Sequence, residues 1–176
     1  MKKNATIYLS LSIVFTGLVA VSTMLIRIPV AATGGYINIG DAMIFICALT
    51  FGPTIGGLAG GIGSAIADMI GYPVFAPFTL VIKGLEGFLA GFIKDGKNVK
   101  KDLFGWGVGA SIMVIGYFIA ESYIMKLGIA AALTEVPGNL FQAFFGGLIG
   151  IPTTIVLRKR LKNISVLKPL LEKLSS

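Results

Sequence analysis

The stretch Thr54–Ile70, TIGGLAGGIGSAIADMI, is the one on which the reading of the chain turns. It lies between Gly52-Pro53 and Gly71-Tyr72-Pro73 and holds a single charged residue, Asp68. Its glycine-rich part, Gly56 to Gly63, could suggest a phosphate-cradling loop, but no Lys-Ser/Thr follows and no strand pattern precedes it. Small residues four apart, Gly56-Gly60 and Gly57-Gly61, suit instead a helix that packs closely on another helix inside a membrane. The run therefore reads as a transmembrane helix.

Composition carries that reading outward to the whole chain. Hydrophobic residues make up 55% of the 176 and charged residues 13%, where a soluble protein carries about 25% charged. Mean hydropathy is +0.89. So few charges cannot coat a water-exposed globule, which argues against a soluble enzyme or a nucleic-acid binder. The excess of 15 Lys+Arg over 8 Asp+Glu does not form a basic face, since the cations sit in gaps between apolar runs. The lipid bilayer is the expected partner, and nucleic acid is not. There is no His and one Cys, Cys47, inside an apolar run. Structural zinc, a Ser-His-Asp triad and an intrachain disulfide are excluded by inventory, and no enzyme activity, metal or cofactor is expected.

A helix needs about 20 apolar residues to cross a bilayer, and the chain divides into six such spans, an all-α membrane protein forming a single domain over residues 1–176. The first runs Ala5 to Ile28, too long for the apolar part of a signal peptide. The loop Pro29 to Ile39 (PVAATGGYINI) reads as a lid or short hairpin. Helix two begins near Asp41, or as early as Ile37, and ends at Gly52-Pro53. Helix three is the opening stretch, and helix four runs from Pro77 to Ile93. The polar segment Lys94 to Asp102 leads to helix five, Leu103 to Leu127. Helix six starts after Pro137 and ends at Arg158-Lys159-Arg160, before an amphipathic tail, residues 161–176. Basic residues fix the orientation. Lys2, Lys3, Lys94, Lys97, Lys100, Lys101, Arg158, Lys159, Arg160, Lys162, Lys168 and Lys173 fall on one side, and only Arg27 and Lys126 near the other. Both termini are expected in the cytoplasm.

Ionisable groups within a bilayer are costly, so each is a functional candidate. Asp41, Asp68, Lys83, Glu86 and Glu121 lie on or at the ends of helices, all in the half away from the basic side. Asn139 and Gln142 begin helix six at the same depth, while Glu135 reads as an outer-loop residue. Lys83 and Glu86, three apart, share a face and can pair or point at one ligand. A channel would string such groups through the full thickness. Confinement to one half reads instead as a pocket open outward, to which Asn38, Tyr36, Tyr72, Tyr117 and Tyr123 could contribute. Ser12, Thr16 and Ala20 form a small-residue stripe on helix one, a candidate docking face for a partner helix. A self-sufficient channel or exporter working as a homo-oligomer is the alternative.

Several blocks together resemble a known family: Tyr36-Ile37-Asn38-Ile39-Gly40-Asp41, Phe51-Gly52-Pro53, Gly60 to Asp68, Tyr72 to Thr79, Lys83-Gly84-Leu85-Glu86-Gly87 and Pro137 to Gln142. The chain resembles the substrate-binding S components of energy-coupling factor (ECF) transporters, in the branch associated with riboflavin, hydroxymethylpyrimidine and related vitamins. The resemblance implies a six-helix protein of the bacterial plasma membrane that captures a small vitamin near the outer surface. It implies partners as well: a transmembrane coupling subunit and two ATPase subunits, which hydrolyse the ATP. The family's first helix commonly bears Ala-x-x-x-Ala at the coupling contact; Ser12, Thr16 and Ala20 stand in its place. Carboxylates, one Lys and amides suit a small polar heterocycle, such as hydroxymethylpyrimidine, a thiamine-related compound or pyridoxine, better than a large tricyclic ring.

Overall fold

Proline and glycine punctuation divides the apolar sequence into helices too long and too apolar for water. The computed structural model describes residues 2–164, and within them the elements are α1 (Lys2–Leu25), β1 (Arg27–Val30), β2 (Gly35–Asn38), α2 (Gly40–Phe51), α3 (Pro53–Gly71), α4 (Ala76–Ile93), α5 (Val99–Ile119), a π-helical turn (Ala120–Ile124) and α6 (Ile129–Leu161). The chain is an all-α membrane protein with six helices, five of them long and apolar enough to cross a bilayer. The exception is α2. Its 12 residues rise about 18 Å at 1.5 Å each, well short of a bilayer core. It does not need to meet lipid by itself, because every residue from Ile44 to Phe51 is buried among α1, α3, α4 and α6.

Two apolar clusters meet on α2. Phe45 and Leu49 pack with Ile82, Met113 and Ile151 on one side, while Ile44, Cys47 and Phe51 pack with Val19, Ile55 and Ala59 on the other. The outer surface is also apolar: Leu9, Ile13, Met69, Phe92, Phe104 and Phe141 are each more than 60% exposed. Bare apolar groups on that scale would aggregate in water and are at home in hydrocarbon.

The α3–α4 seam is the tightest. A Cβ on Gly60 would stand 2.6 Å from the Lys83 carbonyl oxygen, and one on Gly56 2.7 Å from that of Gly87. No side chain fits there, so only glycine lets these backbones touch. That is the physical meaning of the four-residue glycine spacing in Thr54–Ile70.

Several expected boundaries shift. The first helix stops at Leu25 instead of Ile28, because Arg27–Val30 pairs antiparallel with Gly35–Asn38, Ile28 opposite Ile37. Pro29 is tolerated in such a two-stranded ribbon, where one side needs no ladder bond. Helix two therefore cannot start at Ile37, which is in β2. The Lys94–Asp102 segment is only partly a loop, since Asn98 caps α5 by accepting from the Lys100 N–H at 3.0 Å. Helix five ends at Ile119 and continues as the π turn, not on to Leu127. Helix six starts at Ile129, eight residues before Pro137, which lies inside it. A membrane helix accepts an interior proline where neighbours make up the lost bond. Beyond Ile164, the amphipathic tail lies outside the described residues.

The connections place two sets of loops at opposite ends of the bundle. The hairpin, the α3–α4 turn and the π turn into α6 share one end. The α2–α3 break, the α4–α5 loop and the end of α6, with its basic cluster, share the other.

Candidate functional site

At the hairpin end, polar side chains from three helices converge inside the apolar bundle. α2 opens with Asp41, and α4 carries Lys83 and Glu86 one turn apart on its inner face. All three are almost wholly buried. The Lys83 ammonium donates to Asp41 and, at 2.9 Å, to Glu86 Oε2. Gln142, from α6, donates its Nε2 to Asp41 Oδ1 at 2.9 Å and accepts the Asn38 N–H on Oε1 at 2.7 Å. One cation between two anions carries the desolvation cost of three charges, and replacing such a set by apolar groups is often neutral or stabilising. Retaining it in a membrane bundle points to function.

The hairpin is fastened to the helices by side chains. Tyr36 donates its hydroxyl to Asp68 on α3, and Thr33 donates to Glu135 on α6. Burial and the adjacent Asp68 carboxylate push the Tyr36 phenol above its usual range, which keeps it a donor. Tyr36 also stacks on Tyr72 with centroids 4.3 Å apart, and the Arg27 guanidinium lies 4.9 Å from the Tyr36 ring centre. Arg27 is anchored in turn by a 2.7 Å bond to the Ala67 carbonyl.

Between hairpin and helices lies a narrow cavity with about 20 Å³ open to a water-sized sphere. Its wall brings together seven of the twelve residues expected to line a pocket: Tyr36, Asn38, Asp68, Lys83, Tyr117, Asn139 and Gln142. Asp41 and Glu86 are not in the wall; they sit behind it and hold Lys83. Glu121 is buried in the π turn next to Glu135 and is also outside the wall. Tyr117 bonds Thr79 through their hydroxyls at 2.9 Å and places its ring 5.9 Å from the Lys83 ammonium. Tyr123 turns away and is 61% exposed. Among the described residues there is no cluster of three or more acidic or Cys side chains suited to a metal ion.

The stripe on α1 is placed as follows. Ala20 is buried, Ser12 and Thr16 are half-buried, and the Thr16 carbonyl lies against Gly63 of α3, within 2.6 Å of where a Cβ would stand. The stripe thus runs along the α1–α3 seam, and α1 presents Leu9, Ile13, Val14 and Val21 outward.

Four wall residues escape a reading of the sequence alone. Glu135 lies on α6 because the helix begins before Pro137, so it is not in a loop. Thr23, Ser64 and Thr79 are small hydroxyl residues within apolar runs, a common occurrence that gives no signal in one sequence. A second polar cluster also went unseen, at the basic end. Arg158 on α6 grips Asp102 of α5 through two bonds, 2.6 and 3.0 Å, and donates to the Leu49 carbonyl at the end of α2. The basic-side half of the bundle is therefore not free of buried charge, as the sequence had suggested.

Comparison with known proteins yields a family and relatives. The model of the family described as ECF-type riboflavin transporter, S component, matches residues 3–159. An uncharacterized protein of Pyrococcus woesei, named for its place in the gap 3′ region, is 46% identical over 147 residues, which cover 83% of this chain and 98% of that protein. A UPF0397 protein of Streptococcus agalactiae serotype Ia is 29% identical over 146 residues, covering 76% of this chain and 79% of its own length.

Proposed function

Because the chain belongs to the ECF-type riboflavin transporter S component family, we propose that it captures a small vitamin or vitamin precursor in the hairpin-end cavity and delivers it inward together with a transmembrane coupling subunit and two ATPases. ATP is hydrolysed by those partners, and this chain holds no cofactor of its own. The basic end faces the cytoplasm of a plasma membrane, which turns the cavity outward.

The observation that carries the reading is Lys83, fully buried at the cavity wall and held by two carboxylates. Asn38, Asp68, Tyr117, Asn139 and Gln142 contact the ligand beside it, while Asp41 and Glu86 fix the ammonium. The wall favours a neutral or cationic ring over an anion. Its carboxylates, Asp68 and Glu135, would repel a carboxylate or phosphate, and the Lys83 charge is already matched. The cavity is tight in this form of the chain, with about 20 Å³ open to a water-sized sphere. A small polar heterocycle of the hydroxymethylpyrimidine, thiamine or pyridoxine kind suits it better than the tricyclic ring in the family's description.

The test is mass spectrometry of ligand carried through purification in detergent, followed by binding titrations with hydroxymethylpyrimidine, thiamine, pyridoxine and riboflavin. Tight binding of one of the first three is the expected result. Riboflavin as the tightest ligand would overturn the choice of substrate, and no binding at all would overturn the function.

A further inference from the structure

Helical serine and threonine hydroxyls usually donate to the carbonyl three or four residues back, which leaves no polar atom bare. This chain follows that habit at Ser12, Ser22, Ser111, Thr134 and Thr153, with bonds of 2.6–3.0 Å to their own helices. Thr23 on α1 and Ser64 on α3 do not. Each is 2% exposed, neither hydroxyl oxygen has a hydrogen-bond partner within the protein, and both line the cavity. Thr50, Ser122 and Thr154 also lack partners but are not in the cavity wall. Leaving a buried hydroxyl unsatisfied costs about 1–3 kcal/mol, and two such groups share one wall, at the α1–α3 seam.

Local packing explains why Thr23 stays bare. Thr23 is pressed against Gly40 at the start of α2, where a Cβ would stand 2.2 Å from Thr23 Oγ1. The Gly40 N–H is already taken by Asn38 Oδ1 at 2.8 Å. That neighbouring donor is therefore occupied, and Thr23 lines the cavity.

We propose that Thr23 and Ser64 form a recognition subsite that hydrogen-bonds a donor–acceptor edge of the ligand ring, such as a ring nitrogen beside an exocyclic amino group or a lactam. The inference rests on the function proposed above. A hydroxyl can donate or accept, so the pair matches an edge carrying one of each. Lys83, held from behind by its two carboxylates, supplies a charged part of the same wall. The subsite also joins the cavity to α1, because Thr23 lies one turn beyond Ala20 on the helix that packs along α3 through Thr16.

The experiment compares wild type, Thr23→Val, Ser64→Ala and Thr23→Ser, purified in detergent, with the panel compound that wild type binds most tightly. Two quantities are read: Kd, and the melting temperature without ligand. Thr23→Val and Ser64→Ala are expected to weaken binding about fivefold to tenfold each, the worth of one net hydrogen bond. Their ligand-free melting temperature should be unchanged or raised, since a bare hydroxyl has been removed. Thr23→Ser should bind like wild type. Unchanged Kd in Thr23→Val and Ser64→Ala overturns the subsite and leaves the proposed function standing. A lowered ligand-free melting temperature with equal loss of binding in Thr23→Ser assigns the side chain to packing and overturns it as well. If wild type binds no panel compound, it is the proposed function that fails, and the subsite with it.

Discussion

Lys83 and Arg158 are both buried cations clasped by carboxylates, yet their surroundings differ. Arg158 makes two bonds to Asp102 and a third to a backbone carbonyl, tying α2, α5 and α6 together at the basic end. Its planar fork matches the carboxylate, as a point charge would not. Lys83 is bracketed by two acids that each keep one oxygen unpartnered, Asp41 Oδ2 and Glu86 Oε1, and it borders a cavity. Burial and charge are therefore poor markers of a site taken alone. Arg158 Nε is unpartnered too, and Arg158 and Asp102 line a groove of their own, so what separates binding wall from clamp is the convergence of amides, hydroxyls and carboxylates around Lys83.

Arg158→Ala gives the largest expected effect. It strands Asp102 without its cation and should destabilise the protein by about 3–5 kcal/mol, read as a lower unfolding midpoint in detergent. Ligand affinity of the folded fraction should stay within about threefold, and a loss of affinity as large as that of Lys83→Met would erase the contrast. Lys83→Met removes the ammonium from the wall. It should weaken ligand binding by about 2–3 kcal/mol, the worth of hydrogen bonds to a charged group, in isothermal titration.

A pH-dependent effect concerns Lys94, which follows α4 beside the clamp. Burial, and then the charge of Arg158, push it down to about 8, against about 10.4 in an unfolded chain. Between those values the unfolded state holds a proton that the folded state has released, so stability rises with pH there. The melting temperature of wild type should therefore climb from about pH 8 to about pH 10 relative to Lys94→Gln. A flat difference would detach Lys94 from the clamp.

Long apolar runs made the helices legible, because span length and charge-free composition are properties of one segment at a time. The convergence of Asp41, Lys83, Gln142 and Asn139 was legible through depth, since alternating spans bring residues at equal depth level with each other. Features that depend on pairing between distant segments were hidden. Arg27 and Ile28 continue an apolar run in sequence but belong to a strand, and only the partner Gly35–Asn38 reveals it. Pro137 looked like a helix start, and that misplaced Glu135 in a loop. Asp102 and Arg158 each looked like surface charges beside a polar segment, and their bond across 56 residues cannot be read from either neighbourhood.

The glycines of the α3–α4 seam govern more than closeness. Lys83 is carried on backbone that rests directly on Gly60, so the position of its ammonium is set by a hydrogen atom on the neighbouring helix. One added methyl at position 60 would lift α4 and shift the charge relative to the hairpin without altering any side chain in the wall. Substrate preference in such a lineage can therefore drift through residues that no substrate ever touches, and two relatives with identical walls need not favour the same vitamin.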